Sequence, residues 1–361
     1  MKILLFAASN SIHTHKWALF YQRQGIEVKV VTFADHFSQK HAEEVPTLAL
    51  PKLLPGKLSY PTSLFALKKI LANEQPDIFH AHYVSSYGFL AALTKYKPLV
   101  VSVWGTDIYQ FPTKGRLNRY MVQTALSKAD LICSTSEDMA RETSKYTSKS
   151  MEITPFGVDT KWFRPLGLVK SNEIVTIGIA KGLHEVYGIS KLIQAFAEVE
   201  KIYPQVRLLI VGDGPKRNEY EELTRSLGVE HKVSFTGRVP NSEVVHYMNQ
   251  MDIFVLPSYS ESFGVAAIEA QACGVPVIVT QVGGLPEVVE DGETGIIIPN
   301  NEPKHLVPAL ERLIQDPELR LRMGEAGAHH VRQEYDWEEN ANRMLQLYGK
   351  VWGQEKIVQT I

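Results

Sequence analysis

Cysteine is scarce: 361 residues hold only Cys133 and Cys273, each inside an apolar segment. A disulfide framework is thereby excluded, and a reducing compartment fits. Long apolar runs are missing too. None approaches the roughly 20 residues that cross a bilayer, and the opening run from Ile3 to Ala8 is too short for the apolar part of a signal peptide. The cytoplasm is the expected location. Low-complexity tracts are absent, so a linker-rich or fibrous class is out. Charge of one sign is lacking as well. The net charge of −2 makes no case for nucleic acid as a partner.

What is present describes an ordinary globular chain, 44% hydrophobic and 22% charged. Its length suits two domains, each burying its own core. The charge is unevenly placed. Residues 1–163 carry 19 Lys and Arg against 13 Asp and Glu, a balance of +6, and the remainder carries 19 against 27, a balance of −8. A basic first half could face an anionic acceptor or a membrane surface, or be a solvated face.

Short β-branched runs at 3–6, 28–32, 78–80, 99–104 and 131–134 alternate with helical periodicity, as at 17–24, 63–73 and 117–129. The pattern restarts after Pro165, with strands near 174–179, 207–211, 233–236, 253–256, 277–280 and 296–298. Strands alternating with helices predict an α/β fold of two doubly wound, Rossmann-like parallel sheets. The first domain is expected over 1–163, rejoined by an amphipathic helix at about 337–361, and the second over 164–336. The linker falls at Pro155 to Pro165, with two prolines and Gly157.

Ligands bind beyond the carboxyl ends of such strands, and the motifs obey that rule. Ile253–Leu256 breaks at Pro257, and a polar loop (Ser258 to Gly264) leads into a small-residue helix expected at 265–272. Backbone N–H groups at Ser262, Phe263, Gly264 and Val265 would meet an anion there, favoured by the helix dipole. Glu261 precedes this point and Glu269 lies about a turn and a half beyond it, so two carboxylates flank an anion site. Carboxylates accepting bonds from neighbouring hydroxyls hold sugars and ribose, which makes this a candidate nucleotide-sugar site. Gly212 and Gly214, in Gly212-Asp213-Gly214-Pro215 after another strand, allow a tight turn and close packing.

The stretch from Leu256 to Val277, with its Glu-x7-Glu element, resembles the donor-site motif of the retaining glycosyltransferases of family four. These have the GT-B fold, two Rossmann-like domains facing a central cleft. The linker resembles the family's Asn-Gly-Val-Asp hinge, with Phe156 in the asparagine position. The resemblance implies a transferase that moves a sugar from a nucleotide donor, a UDP-sugar first, to a hydroxyl acceptor with retention. It implies that Lys181 and the helix start stabilise the leaving diphosphate, Glu261 holds the sugar, Glu269 the ribose, and the Arg238-Val239 backbone the base. A second lysine, usual before Tyr-Gly, is replaced by Val186, which leaves Lys181 alone or aided by His184. No Asp-x-Asp pair occurs, so neither metal nor cofactor is expected.

The first domain is the expected acceptor side. Its opening loop lacks the family's Gly-Gly, so no phosphate cradle is implied, but Ser11 and His13 could meet acceptor hydroxyls. His80-Ala81-His82 resembles the family His-x-His, with His82 as the acceptor candidate. Trp104 stands where many relatives have histidine; it could stack on a sugar and exclude water. Asp107 is then the polar candidate, or a structural cap. The leaving diphosphate itself can take the acceptor proton, so the exchange need not end activity. The acceptor could be a saccharide or a lipid-linked saccharide. Leu50–Leu58 and Leu64–Leu71 mix apolar side chains with lysines. They suit the anionic inner face of a membrane, or an ordinary helix with one face on the core. Two rivals stay open: a UDP-sugar epimerase of the same fold, and a non-catalytic partner of another glycosyltransferase.

Overall fold

The computed structural model describes residues 1–52, 54, 56–168 and 173–358, with side chains through Gly353. Leu53 and Pro55 of the basic apolar segment, and residues 359–361 of the returning helix, lie outside them. Two compact units emerge, Met1–Pro155 with the chain from Asn340 onward, and Phe156–Glu339. The division falls at Pro155, earlier than the expected boundary after Phe163. The cause is local: Val158 donates its N–H to the Tyr335 carbonyl at 2.8 Å and accepts from Trp337 N–H at 2.9 Å. The linker is thus tied into the second unit.

In the first unit the strands are β1 Lys2–Phe6, β2 Glu27–Phe33, β3 Thr47–Leu50, β4 Ile78–His82, β5 Leu99–Val103, β6 Leu131–Ser134 and β7 Glu152–Ile153. They lie in the order β3-β2-β1-β4-β5-β6-β7, and every pairing is parallel. The sequence reading did not include β3 and β7. Both are edge strands, one half exposed and the other two residues long, so neither has an apolar run to show. Side chains alternate across the sheet. Phe79, Ala81, Val101 and Ile132 enter the core with Leu67, Leu90, Val122 and Leu126 from the helices on that face. Their neighbours His80, Ser102 and Cys133 point to the opposite face, where Tyr348 and Met344 of the helix Trp337–Val358 reach His80 and Cys133.

The second unit holds β8 Val175–Ala180, β9 Val206–Val211, β10 Val233–Phe235, β11 Ile253–Leu256, β12 Val277–Thr280 and β13 Gly295–Ile298. Their order is β10-β9-β8-β11-β12-β13, again all parallel. β11 and β12 are buried along their whole length, as a sheet covered on both faces requires. Strand order reverses between β1 and β4 in one unit and between β8 and β11 in the other. Such switch points leave a crevice at the carboxyl ends of the strands.

Candidate functional site

At the β8/β11 switch point the loops place two opposite charges together. Lys181 follows β8 directly, and Glu261 lies in the loop after β11. The Lys181 Nζ stands 2.8 Å from Glu261 Oε2, both side chains being largely enclosed. The same ammonium lies 4.6 Å from the centroid of the Tyr187 ring. Burial alone would drive the Lys181 pKa down, but Glu261, Tyr187 and Glu269 outweigh it and the pKa is raised. Lys181 is therefore a fixed cation at neutral pH. Tyr187 was not picked out as a site residue in the sequence. Its signal was the following Gly188, whose left-handed φ of +66° closes the turn that turns the ring toward Lys181.

Backbone contacts hold this arrangement. Gly284 N–H donates to the Glu261 carbonyl at 3.1 Å, and Tyr259 N–H donates to the Val186 carbonyl at 2.8 Å. Thr280 Oγ1 donates to the Ser258 carbonyl at 2.7 Å, and Asn301 Nδ2 to the Pro257 carbonyl at 3.0 Å. The loop from 257 to 264 is thus pinned to the ends of its neighbours. It delivers Gly264, at φ +105°, as the cap of the helix Val265–Ala272, whose first turn receives no side-chain cap. Glu269 lies half-buried in that helix, near enough to act on Lys181. The buried Ser258 Oγ, also missed in the sequence, finds no hydrogen-bond partner among the described residues.

The remaining donor-side candidates occupy the same rim in different ways. A Cβ at Gly212 would stand 2.1 Å from the Lys181 carbonyl oxygen, and one at Gly214 would stand 2.7 Å from Leu183 backbone atoms. These two glycines let the β9 loop pass against the Lys181 loop. Gly212 N–H donates to the Gly237 carbonyl at 3.1 Å, bringing the exposed Arg238 and half-buried Val239 beside that loop. Phe263 differs from a ligand contact: its ring is buried against Phe156 at 6.2 Å and Tyr335 at 5.6 Å, so only its backbone can serve. Ser262 and Val265 are half-buried, and His184 is exposed beside Tyr187. Among the described residues no group of three or more His, Cys, Asp and Glu side chains is placed to hold a metal ion.

In the first unit the acceptor candidates gather after β1, β4 and β5. Ser11 caps the helix Ile12–Arg23 through its backbone only, and His13 meets the Trp104 ring edge-on at 6.0 Å. His82 is buried against Trp104 at 4.4 Å between ring centroids. Burial, then His80 and His13, hold its pKa well below the usual histidine range. Its Nδ1 has no partner among the described residues.

One expectation is corrected here, for Trp104, and for Asp107 the structural one of its two readings is the one observed. Trp104 is only 7% exposed and packed by His13, His82 and Tyr83, so its ring is no open stacking platform. Asp107 is no free polar group: its carboxylate accepts from the N–H groups of Val84 at 2.8 Å, Gly105 at 2.8 Å and Trp104 at 3.2 Å. It binds the loops after β4 and β5 together.

Comparison with known proteins gives this geometry a family. Residues 2–136 match the family described as "Glycosyl transferase 4-like", and residues 160–330 match "Glycosyl transferases group 1". The D-inositol 3-phosphate glycosyltransferase of Corynebacterium aurimucosum is 30% identical over 90% of this chain and 87% of its own. The N-acetyl-alpha-D-glucosaminyl L-malate synthase of Bacillus anthracis is 28% identical over 80% of this chain and 79% of its own. In fold the chain is similar to Anabaena HepE, solved in complex with UDP, at a TM-score of 0.83 and 19% identity, over 97% of this chain and all of that one. Sucrose-phosphate synthase from Thermosynechococcus elongatus follows at 0.81 and 22%, over 98% of this chain and all of that one. Two parallel Rossmann-like sheets with this likeness define the GT-B fold. The chain belongs to the group 1, family-four-like glycosyltransferases.

Proposed function

We propose that this enzyme moves a sugar from a nucleoside diphosphate sugar, a UDP-sugar first, to a hydroxyl acceptor with retention of configuration. The observation that carries the reading is the Lys181–Glu261 pair at the β8/β11 switch point, next to a helix start that no side chain caps. A diphosphate entering there gains the helix dipole and the Lys181 charge, and the phosphates compete with Glu261 for that ammonium. Released from Lys181, Glu261 turns to the sugar hydroxyls, while Glu269 takes the ribose and the Arg238-Val239 backbone the base. Charge that develops on the leaving diphosphate is met by Lys181, without a metal or cofactor. The departing phosphate takes the acceptor proton on the face it leaves. The names of two relatives contain D-inositol 3-phosphate and L-malate, both hydroxyl compounds, which supports a hydroxyl acceptor. A saccharide, or a lipid-linked one met from the cytoplasm at the inner face of a membrane, is the acceptor we favour.

The test separates charge on the leaving group from binding of the nucleoside. Lys181→Met should lower UDP release from the donor by about 10²–10³-fold, the scale seen when one preorganised stabiliser is removed, while nucleoside affinity stays. Glu269→Ala should instead weaken UDP binding in calorimetry by about 1.5–3 kcal/mol. Wild-type turnover should survive EDTA. Loss of activity in EDTA, or equal effects of both substitutions on UDP affinity, would overturn these roles.

A further inference from the structure

Large apolar side chains that stay in water concentrate in one part of the first unit. Phe65 is 76% exposed, Leu58 68% and Leu117 61%, with Leu54 and Tyr120 also exposed. They sit on or beside two helices, Tyr60–Glu74 and Arg116–Lys128. The first buries Ser63, Leu67 and Leu71, so the core-facing side expected from its sequence is present. The other side was not accounted for: Phe65, Lys68 and Lys69, spaced by three and four, share the outer face. Lys57 joins the two helices, donating to Asn118 Oδ1 and lying 5.2 Å from the Phe111 ring centroid.

The two chain segments that form this surface carry charge of one sign. Residues 51–73 hold four Lys and no Asp or Glu, and residues 111–129 hold four Lys or Arg and again no acid. Within this surface Lys52 is paired with Asp35, as Lys2 and Lys29 are with Glu74 outside it. An acid-free stretch this long repels an acidic-residue-poor copy of itself and attracts an anionic surface. Cations alone would fit any polyanion. Exposed Leu58, Phe65 and Leu117 set among them fit only a partner with an apolar layer beneath its charge.

We infer that this face docks on an anionic lipid bilayer, with Phe65, Leu58 and Leu117 entering the headgroup boundary and the lysines and arginines lying among the lipid phosphates. It rests on the proposed function only in saying where a lipid-linked acceptor would be met. The docking itself needs no catalysis. No helix among the described residues is long and apolar enough to cross a membrane, so attachment by this face is reversible and salt-sensitive.

The experiment sediments the full chain with vesicles of phosphatidylcholine, alone or mixed equally with phosphatidylglycerol. Binding to the mixed vesicles only, weakened by salt, is expected. Lys68→Gln with Lys69→Gln should cut partition on the order of twentyfold, since each cation near such a surface contributes about fivefold. Leu58→Ser with Phe65→Ser should cut it at least about tenfold. Leu321→Ser, equally exposed but in the second unit, should change nothing. Thermal melts confirm folding, and the lysine pair decides if the apolar pair does not fold. No partition, equal binding to neutral vesicles, an equal loss in Leu321→Ser, or dextran sulfate binding untouched by Leu58→Ser with Phe65→Ser alongside undiminished vesicle binding would each overturn the proposal. UDP release from the donor should be unchanged in all these variants. A chain that docks but never releases UDP would instead count against the proposed function.

Discussion

Burial decides the protonation of the groups beside the first-unit switch point. His80 is held at about 3 by desolvation, its Nε2 facing Ser102 Oγ at 2.8 Å, and His82 is lowered as well. Both are neutral in the folded chain, whereas in the unfolded chain they take up protons below the ordinary 6.5. Stability is therefore full above that value and lost as pH falls toward 3. The slope reaches about 1.4 kcal/mol per pH unit for each histidine. Asp107 works the other way. Burial raises its pKa against the opposing backbone bonds, so it costs stability as pH rises past its ordinary value and offsets part of the acid loss. Denaturant unfolding followed from neutral pH down to about pH 5 should show stability falling; a flat profile would contradict neutral buried histidines. The Cys133 thiol is pushed up to about 12 by burial, in keeping with its reading as an unbridged core residue. Side-chain type alone did not give the surroundings of these groups. Lys181 and Glu261 meet, while Asp107 and Trp104 are taken up by their own unit's packing.

Elements carry the site through their turns more than through their regular spans. Gly283 has φ +54°, and a Cβ there would stand 1.8 Å from the Glu261 carbonyl oxygen. Gly228 has a similar φ of +73° with nothing within 4 Å. Replacing either with alanine costs about 1 kcal/mol for the left-handed backbone, but only Gly283→Ala must move the Glu261 loop. UDP release should fall at least about tenfold in Gly283→Ala and stay near wild type in Gly228→Ala, with thermal melts recording the shared backbone cost. Equal activity in the two would show that the loop tolerates displacement. The helix at 265–272 and the central strands were legible in sequence because a strand buried on both faces is an unbroken apolar run. β3 and β7 were not, because short edge strands bury too little to leave a pattern.

At the scale of the whole molecule the chain finishes the first unit with its last helix. Tyr348 Oη lies 2.5 Å from His80 Nδ1 and 3.0 Å from Tyr21 Oη, and Met344 Sδ lies 4.0 Å from Cys133 Sγ. His80 and Ser102 of the sheet and Tyr21 of the helix Ile12–Arg23 thereby belong to one buried network. Tyr348→Phe leaves His80 Nδ1 without its partner and should cost about 1–3 kcal/mol. Amide exchange should rise in β4 and β5 and stay unchanged in β8 to β13. A uniform rise across both sheets would mean that the two units do not unfold separately. The returning helix was foreseen as amphipathic. That its tyrosine serves a histidine 268 residues away was not.

By itself the sequence determined the local terms: two sets of βα repeats, the helix start after Gly264, the carboxylates on either side of it, and Lys181 at the end of a strand. Each depends on residue spacing, turn chemistry or apolar periodicity, which act over a few positions. Only the tertiary structure decided which groups meet. The Lys181–Glu261 pair, Tyr187 beneath the ammonium, Asp107 bound to three backbone N–H groups and Phe65 left in water all follow from strand order and loop packing. These are long-range arrangements, in which residues of the same type acquire opposite roles according to what buries them.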